Sequence, residues 1–369
     1  MGYKGFYVDD SLTDQIFARR LSTRDNEGLT LSFKPVKEAA DLADEIFEAH
    51  PDLVALDFRL DENLAETNLR HAYKGSGLAQ LLRDRAAVEP QWDFPIVLVS
   101  NEQKYHKYYR PDGTAHDLFD RAYFKENVSE DSTEARRELL SLCEGYEALK
   151  AIWSSGDRLS VFGLTDKERH VVNVQELRLA LEDAAAPHIA ARIILRDIID
   201  RTGILLSDGE VAARLGISPN QISLVTPMLT ANDIPYNGVF GAGWRRWWAH
   251  RFDDWAEEYF KRRPTSLTAA ERARIISEKE GLEVEAAKSP WNDSSDEKVA
   301  FSCACCGRPT EIRHSLTAFD PRVPRFGQRK RICWDCIQAD RMGNGPAALK
   351  IDEIDANFVD EVRERATRD

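Results

Sequence analysis

The chain has 369 residues, 43% hydrophobic and 31% charged, which suits two or three packed domains and excludes disorder as the dominant state. A formal net charge of −13 argues against coating nucleic acid or an anionic membrane through the global field, so any such contact must come from a local patch. No apolar run approaches the ~20 residues of a spanning helix, and the segment MGYKGFYVDDSLTD lacks the basic and apolar regions of a signal peptide. The expectation is a soluble cytoplasmic protein with no membrane partner.

Residues 1–130 alternate short apolar runs with helical patterns. The runs are GFYV (5–8), LTLSF (29–33), LVALDF (53–58), PIVLVS (95–100) and RAYFK (121–125). Between them, TDQIFARRL, VKEAADLADEIFEAH and GLAQLLRDRAA repeat apolar residues at the three-and-four spacing of amphipathic helices. This alternation predicts a doubly wound α/β domain with a parallel sheet covered on both faces. From 131 to 290 the strand signals fade and a helical domain is expected, including one helix through WRRWWAHRFDDWAEEYF (244–260), with Trp244, Trp248, Phe252 and Trp255 on one face as core packing. The polar stretch 288–298 reads as a linker. A cysteine-rich module at 299–345 and an acidic helical tail at 346–369 complete the chain.

Ligands of open parallel sheets bind beyond the carboxyl ends of the strands, so the residues that end the runs matter most. These are Asp9 and Asp10, Asp57, Ser100 and Lys125. Strand-end carboxylates can hold Mg²⁺, which wants hard oxygen ligands. Asp57 is the expected nucleophile toward a phosphoryl group, Lys125 neutralises its oxygens, and Ser100 donates a hydrogen bond to it. The bland alternative has Asp9 or Asp10 capping the following helix and Asp57 as a loop acid.

YVDD (7–10), LDFRLD (56–61), VLVS (97–100) and YFK (123–125) resemble the receiver domain of two-component response regulators, over about a third of the chain. The resemblance implies a flavodoxin-like fold in which Asp10 and Asp57 bind Mg²⁺ with the Arg59 carbonyl, and Asp9 acts partly through water. It also implies that Asp57 accepts phosphate from a sensor histidine kinase or another phosphodonor. Three features depart from the family: a segment from Asp57 to Gly77 about twice the usual length, Ala122 at the usual aromatic position, and Glu126 in place of the proline after the lysine.

Five of the six cysteines lie in the last fifth of the chain, and Cys303-x-x-Cys306 and Cys333-x-x-Cys336 are separated by 26 residues. Two such knuckles supply four thiolates for one structural Zn²⁺, and the segment resembles a zinc ribbon or treble-clef finger. Cys305 could replace either of its neighbours. Between the knuckles Arg308, Arg313, Arg322, Arg325, Arg329, Lys330 and Arg331 form the one clearly basic stretch, suited to phosphates of nucleic acid or to acidic protein surfaces.

The segment LSDGEVAARLGISPNQISLVTPML (206–229) resembles a helix-turn-helix, with Ser207 or Asp208 as cap, Gly216 at the turn and Ile222 as anchor. Asn220, Gln221 and Ser223 would face outward to read bases, but the second helix has no Lys or Arg for phosphate contacts. The expected function is a phosphorylation-switched signalling protein whose output binds DNA or a protein partner; a non-catalytic docking adaptor is the alternative. Beyond the receiver's own phosphoryl chemistry no enzyme is expected, and a homodimer through the face near the fifth strand is left open.

Overall fold

Five apolar runs form the sheet. In the computed structural model, which describes residues 2–23, 28–62, 73–110, 115–129, 132–343 and 348–366, they are β1 (Tyr3–Asp9), β2 (Leu29–Pro35), β3 (Leu53–Leu56), β4 (Ile96–Ser100) and β5 (Arg121–Phe124). Every pair is parallel and the order is β2-β1-β3-β4-β5. Strands β3 and β4 are buried at every position, as expected for strands covered on both faces. The order reverses at β1 and β3, which opens a crevice at their carboxyl ends.

The sheet is flanked by α1 (Ile16–Leu21), α2 (Ala39–Glu48) and α3 (Gly75–Val88). A short α4 (Glu102–Lys104) continues into a π-helical turn at Tyr105–Tyr109, and α5 (Thr133–Ile152) follows. The side chain of Glu38 caps α2 by accepting from the amides of Ala40 and Asp41. Gly75 opens α3 because the helix abuts the strand end that carries Asp57; a Cβ there would lie 2.1 Å from the Asp57 carbonyl oxygen. Most of the long segment after Asp57, residues 63–72, lies outside the described residues.

The chain divides into two compact units, Met1–Arg196 with Asn237–Trp244, and Asp197–Tyr236 with Arg245–Asp369. This differs from the boundary expected at residue 130, because α5, α6 (Gln175–Glu182) and α7 (Pro187–Ile193) belong with the sheet. A buried polar network supplies one reason. Arg83 on α3 donates to Asp93 (3.3 Å), Asp120 (2.8 Å) and the Phe94 carbonyl (2.9 Å). Asp120 accepts from Tyr146 of α5 at 2.8 Å, and Asp93 accepts from the backbone and ring nitrogens of His188 at the start of α7, at 2.7 and 2.9 Å.

The second unit holds a two-stranded ribbon, β6 (Leu205–Leu206) with β7 (Trp247–Trp248), and the helices α8 (Asp208–Leu215), α9 (Ile222–Ala231), α10 (Ala249–Phe260) and α11 (Ala269–Glu280). Ser207 caps α8 and Gly216 ends it at φ 70°, a conformation that favours glycine. The helix expected over 244–260 begins only at Ala249; Trp247 and Trp248 are strand residues paired with Leu206 and Leu205. Arg272, fully buried, donates to the carbonyls of Ala213 and Arg214 at the end of α8 and to that of Val299. The expected linker is ordered structure, since Ser289 within it is buried and hydrogen-bonds Glu311 at 2.9 Å.

The cysteine-rich segment forms β8 (Phe301–Ser302) with β9 (Pro309–Thr310), β10 (Ser315–Thr317) with β11 (Arg331–Cys333), and α12 (Trp334–Gln338). Its small core includes Val359 of α13 (Glu353–Ala366), so the acidic tail packs into this module rather than trailing from it.

Candidate functional site

Each strand end delivers its side chain to the sheet's carboxyl edge. Asp9 closes β1, Asp57 follows β3, Ser100 closes β4 and Lys125 follows β5. Carboxylate oxygens of Asp9, Asp10 and Asp57 all lie within 4.8 Å of one another. Lys125 Nζ lies 2.7 Å from Asp9 Oδ2, 3.2 Å from Asp57 Oδ1 and 2.6 Å from Asp14 Oδ2. Asp14 was not anticipated; it sits one helical turn beyond β1, and nothing in its local sequence marks it.

Hydrogen bonds hold the acids in place. Asp9 accepts from the Ser11 amide at 2.9 Å and from the Tyr7 hydroxyl at 2.5 Å, and Asp10 accepts from the Glu62 amide at 2.7 Å. Asp57 Oδ2 accepts from the Arg59 amide at 3.0 Å, while Oδ1 faces Lys125 and accepts no hydrogen bond among the described residues. Burial, reinforced by Asp9, pushes the Asp57 carboxyl up to about 6 against the pull of Lys125. Although burial opposes it, Asp57 and Asp9 hold Lys125 above the ordinary lysine range. The Ser100 hydroxyl is fully buried and has no hydrogen-bond partner among the described residues.

These residues fit Mg²⁺. The carboxylates of Asp9, Asp10 and Asp57 converge within 4.8 Å, Asp9 and Asp57 almost wholly buried, and a hard cation suits that oxygen-rich donor set. The two departures beside Lys125 also have places. Ala122 is exposed, and Glu126 accepts from the Asn101 side chain and the Glu102 amide at 3.2 and 3.1 Å, tying the end of β5 to the loop after β4. Tyr123 donates to Glu138 of α5 at 2.9 Å.

In the second unit the sulfurs of Cys303, Cys306, Cys333 and Cys336 lie within 4.8 Å of one another. Cys303 Sγ accepts from the amides of Cys305 and Cys333 at 3.4 and 3.2 Å, the polarised N–H groups a thiolate prefers. Cys305 turns its sulfur to the Arg341 carbonyl at 3.2 Å and is not one of the four. Four converging thiols fit one structural Zn²⁺.

The basic stretch is partly consumed within the unit: Arg308 pairs with Asp293, Arg329 with Asp352, and Arg331 bonds Ser315. Arg313, Arg322, Arg325, Arg329 and Lys330 are exposed. Before and along α9, Asn220 and Ser223 are exposed as expected, together with Leu224 and Pro227. Gln221 is only half-buried, but its side-chain oxygen is engaged by the Glu285 amide at 2.6 Å.

No protein-family model matches the chain, and no curated protein matches it. Two of the solved structures that are weakly similar to it illustrate the level of likeness. One is a yeast Spc42 trimeric coiled coil (amino acids 181–211) fused to another structure, with 16% identity and a TM-score of 0.30 over 48% of this chain and 94% of that one. The other is the phosphorylated cyanobacterial phytochrome response regulator RcpA, with 14% identity and a TM-score of 0.23 over 42% of this chain and 96% of that one.

Proposed function

We propose that the chain is a response-regulator-type signalling protein. Asp57 accepts a phosphoryl group from a sensor histidine kinase or another phosphodonor, and the second unit carries the output. The observation that supports this reading is the convergence of Asp9, Asp10, Asp57 and Lys125 at one sheet edge, beside a buried Ser100 hydroxyl that lacks a partner among the described residues.

In this reading an Asp57 carboxylate oxygen forms the new bond to phosphorus while the bond from phosphorus to the donor breaks, its electron pair leaving with the donor. The product is an acyl phosphate on Asp57. Lys125 gives up part of its contact with Asp9 and Asp14 to neutralise the added oxygens, and Ser100 donates its hydroxyl to one of them, which moves the loop after β4. Asp10 and Asp57, with Asp9 behind them, would hold Mg²⁺, which supplies charge neutralisation at the transferring group. Hydrolysis by water reverses the modification.

The test is incubation with a small-molecule phosphodonor and Mg²⁺, resolved on a phosphate-affinity gel beside Asp57→Ala. A shifted band that requires Asp57 supports the reading, and no such band removes it.

A second reading, docking without phosphorylation, has one observation in its favour. The outward positions of α9 offer Leu224 and Pro227 and no cation, which suits a protein partner better than DNA. The exposed arginines near Lys330 are the competing argument for nucleic acid. Binding to genomic fragments that falls steeply with salt would assign the output to DNA; binding that is absent or insensitive to salt would remove DNA from the account.

A further inference from the structure

Glu297, Glu311 and His314 form a third group of ligand-type side chains, in the second unit and apart from the four cysteines. One ligand atom from each lies within 4.8 Å of the other two. Glu311 is only 2% exposed. Its Oε1 already accepts from the Ser289 hydroxyl at 2.9 Å and contacts His314 Nδ1 at 2.5 Å. Its Oε2 is shut from solvent and accepts no hydrogen bond among the described residues.

A structural ion pair between Glu311 and His314 explains Oε1 but not the rest. Leaving a buried carboxylate oxygen unsatisfied forfeits its hydration with nothing in return. Bringing the Glu297 carboxylate up to the same point adds like-charge repulsion. A cation seated among the three groups removes both costs.

We propose that Glu297, Glu311 and His314 bind a divalent transition-metal ion, with Zn²⁺ the best match. One imidazole nitrogen and two carboxylate oxygens make a borderline donor set, which favours such a metal over Mg²⁺ or Ca²⁺. Three protein donors leave a position for water. The supporting contacts suit a built site. Trp291 stacks on the His314 ring, with centroids 4.8 Å apart and planes 15° from parallel, fixing its orientation. Asn292 donates to Glu297 Oε1 at 2.9 Å, and the Trp291 amide donates to the Ser289 hydroxyl at 3.1 Å. The bound ion would staple the polar segment 289–297 to the loop at 311–314, adding to the hydrogen bonds that already order it.

The test uses the full chain. Wild-type protein titrated with Co²⁺ in excess Mg²⁺, which occupies the carboxylate site at Asp57, should take up two equivalents, one giving the intense thiolate bands of a cysteine site and one giving none. The second equivalent should quench tryptophan fluorescence saturably, and Trp291→Phe should remove that quenching. In His314→Gln and Glu297→Gln the second equivalent should weaken by more than about tenfold, since loss of a direct ligand costs at least as much as loss of a supporting contact. The thiolate bands should persist, which shows that the module is still folded. A single equivalent in the wild type, or a second equivalent unchanged in both variants, would overturn the proposal.

Discussion

Replacing Asp57 with Asn should stabilise the sheet unit at neutral pH, although it removes an ion pair with Lys125. The reason is that the folded state holds the Asp57 carboxyl at about 6, against an ordinary value of 3.8. Folded protein therefore binds this proton more tightly than unfolded protein, and ionisation opposes folding. The cost is absent below about pH 4, grows between pH 4 and 6, and is fully present above that. A little over two pH units at ~1.4 kcal/mol each gives roughly 3 kcal/mol as the most that Asn could recover. Urea unfolding of the full chain in Mg²⁺-free buffer, followed by pulsed hydrogen exchange in peptides from β3 and β4, reads this unit separately from the other. The Asn variant should match the wild type near pH 4 and gain on it up to pH 7. Mg²⁺ should then narrow the gap, because a cation bound only by the folded wild type contributes about 1.4 kcal/mol at ten times its Kd. A difference that does not vary with pH, or a variant less stable at pH 7, would refute the view that burial and Asp9 dominate the environment of Asp57.

Three further outcomes can be checked. Arg83→Met leaves Asp93 and Asp120 buried without their cation and should cost about 3–5 kcal/mol of sheet stability, measured by the same exchange experiment. Gly75→Ala forces a methyl group against the Asp57 carbonyl, 2.1 Å away before relaxation, and should weaken Mg²⁺ binding more than it lowers stability; equal loss of both would contradict a local effect. Cys333→Ser should lower zinc content by about one equivalent per chain and abolish exchange protection in β10 and β11 while leaving β1 to β5 protected.

Much of the first unit was legible because parallel strands covered on both faces are short apolar runs that end sharply in polar residues, so the chemistry-bearing positions announce themselves. What the pattern hid was tertiary. Arg83 lies on the inward stripe of α3 with Ala79, Leu82 and Ala86, and a cation on an apolar stripe was the available signal for a buried acidic partner. Asp93 and Asp120 stand just before β4 and β5, where polar residues look like ordinary loop residues. The aromatic spacing over 244–260 fits a helix, yet Trp247 and Trp248 are bulky, β-favouring residues and pair with Leu205 and Leu206 once that short strand is beside them. In the polar stretch after Lys288, serine and asparagine side chains satisfy nearby backbone amides, an order that composition does not reveal.

Two polar clusters occupy opposite ends of the same sheet, and they differ in a way that separates structure from chemistry. At the amino ends of β4 and β5, both oxygens of Asp93 and both of Asp120 accept hydrogen bonds, and the Arg83 guanidinium bonds two carboxylates and two carbonyls. Such a network is complete and has nothing left to bind; its effect is to fasten α3, α5 and α7 to the strands. At the carboxyl ends the count does not close. Among the described residues Asp57 Oδ1 has the ion pair but no hydrogen bond, and the Ser100 hydroxyl has no partner, although both are as deeply buried as the network at the other end. Buried polar atoms are nearly always satisfied, so an edge that brings one incomplete donor and one incomplete acceptor to the same crevice supports the proposed function. Under the proposed function, the firm end gives the strands a fixed base, and the incomplete end is where binding a cation or a phosphoryl group would change the loops.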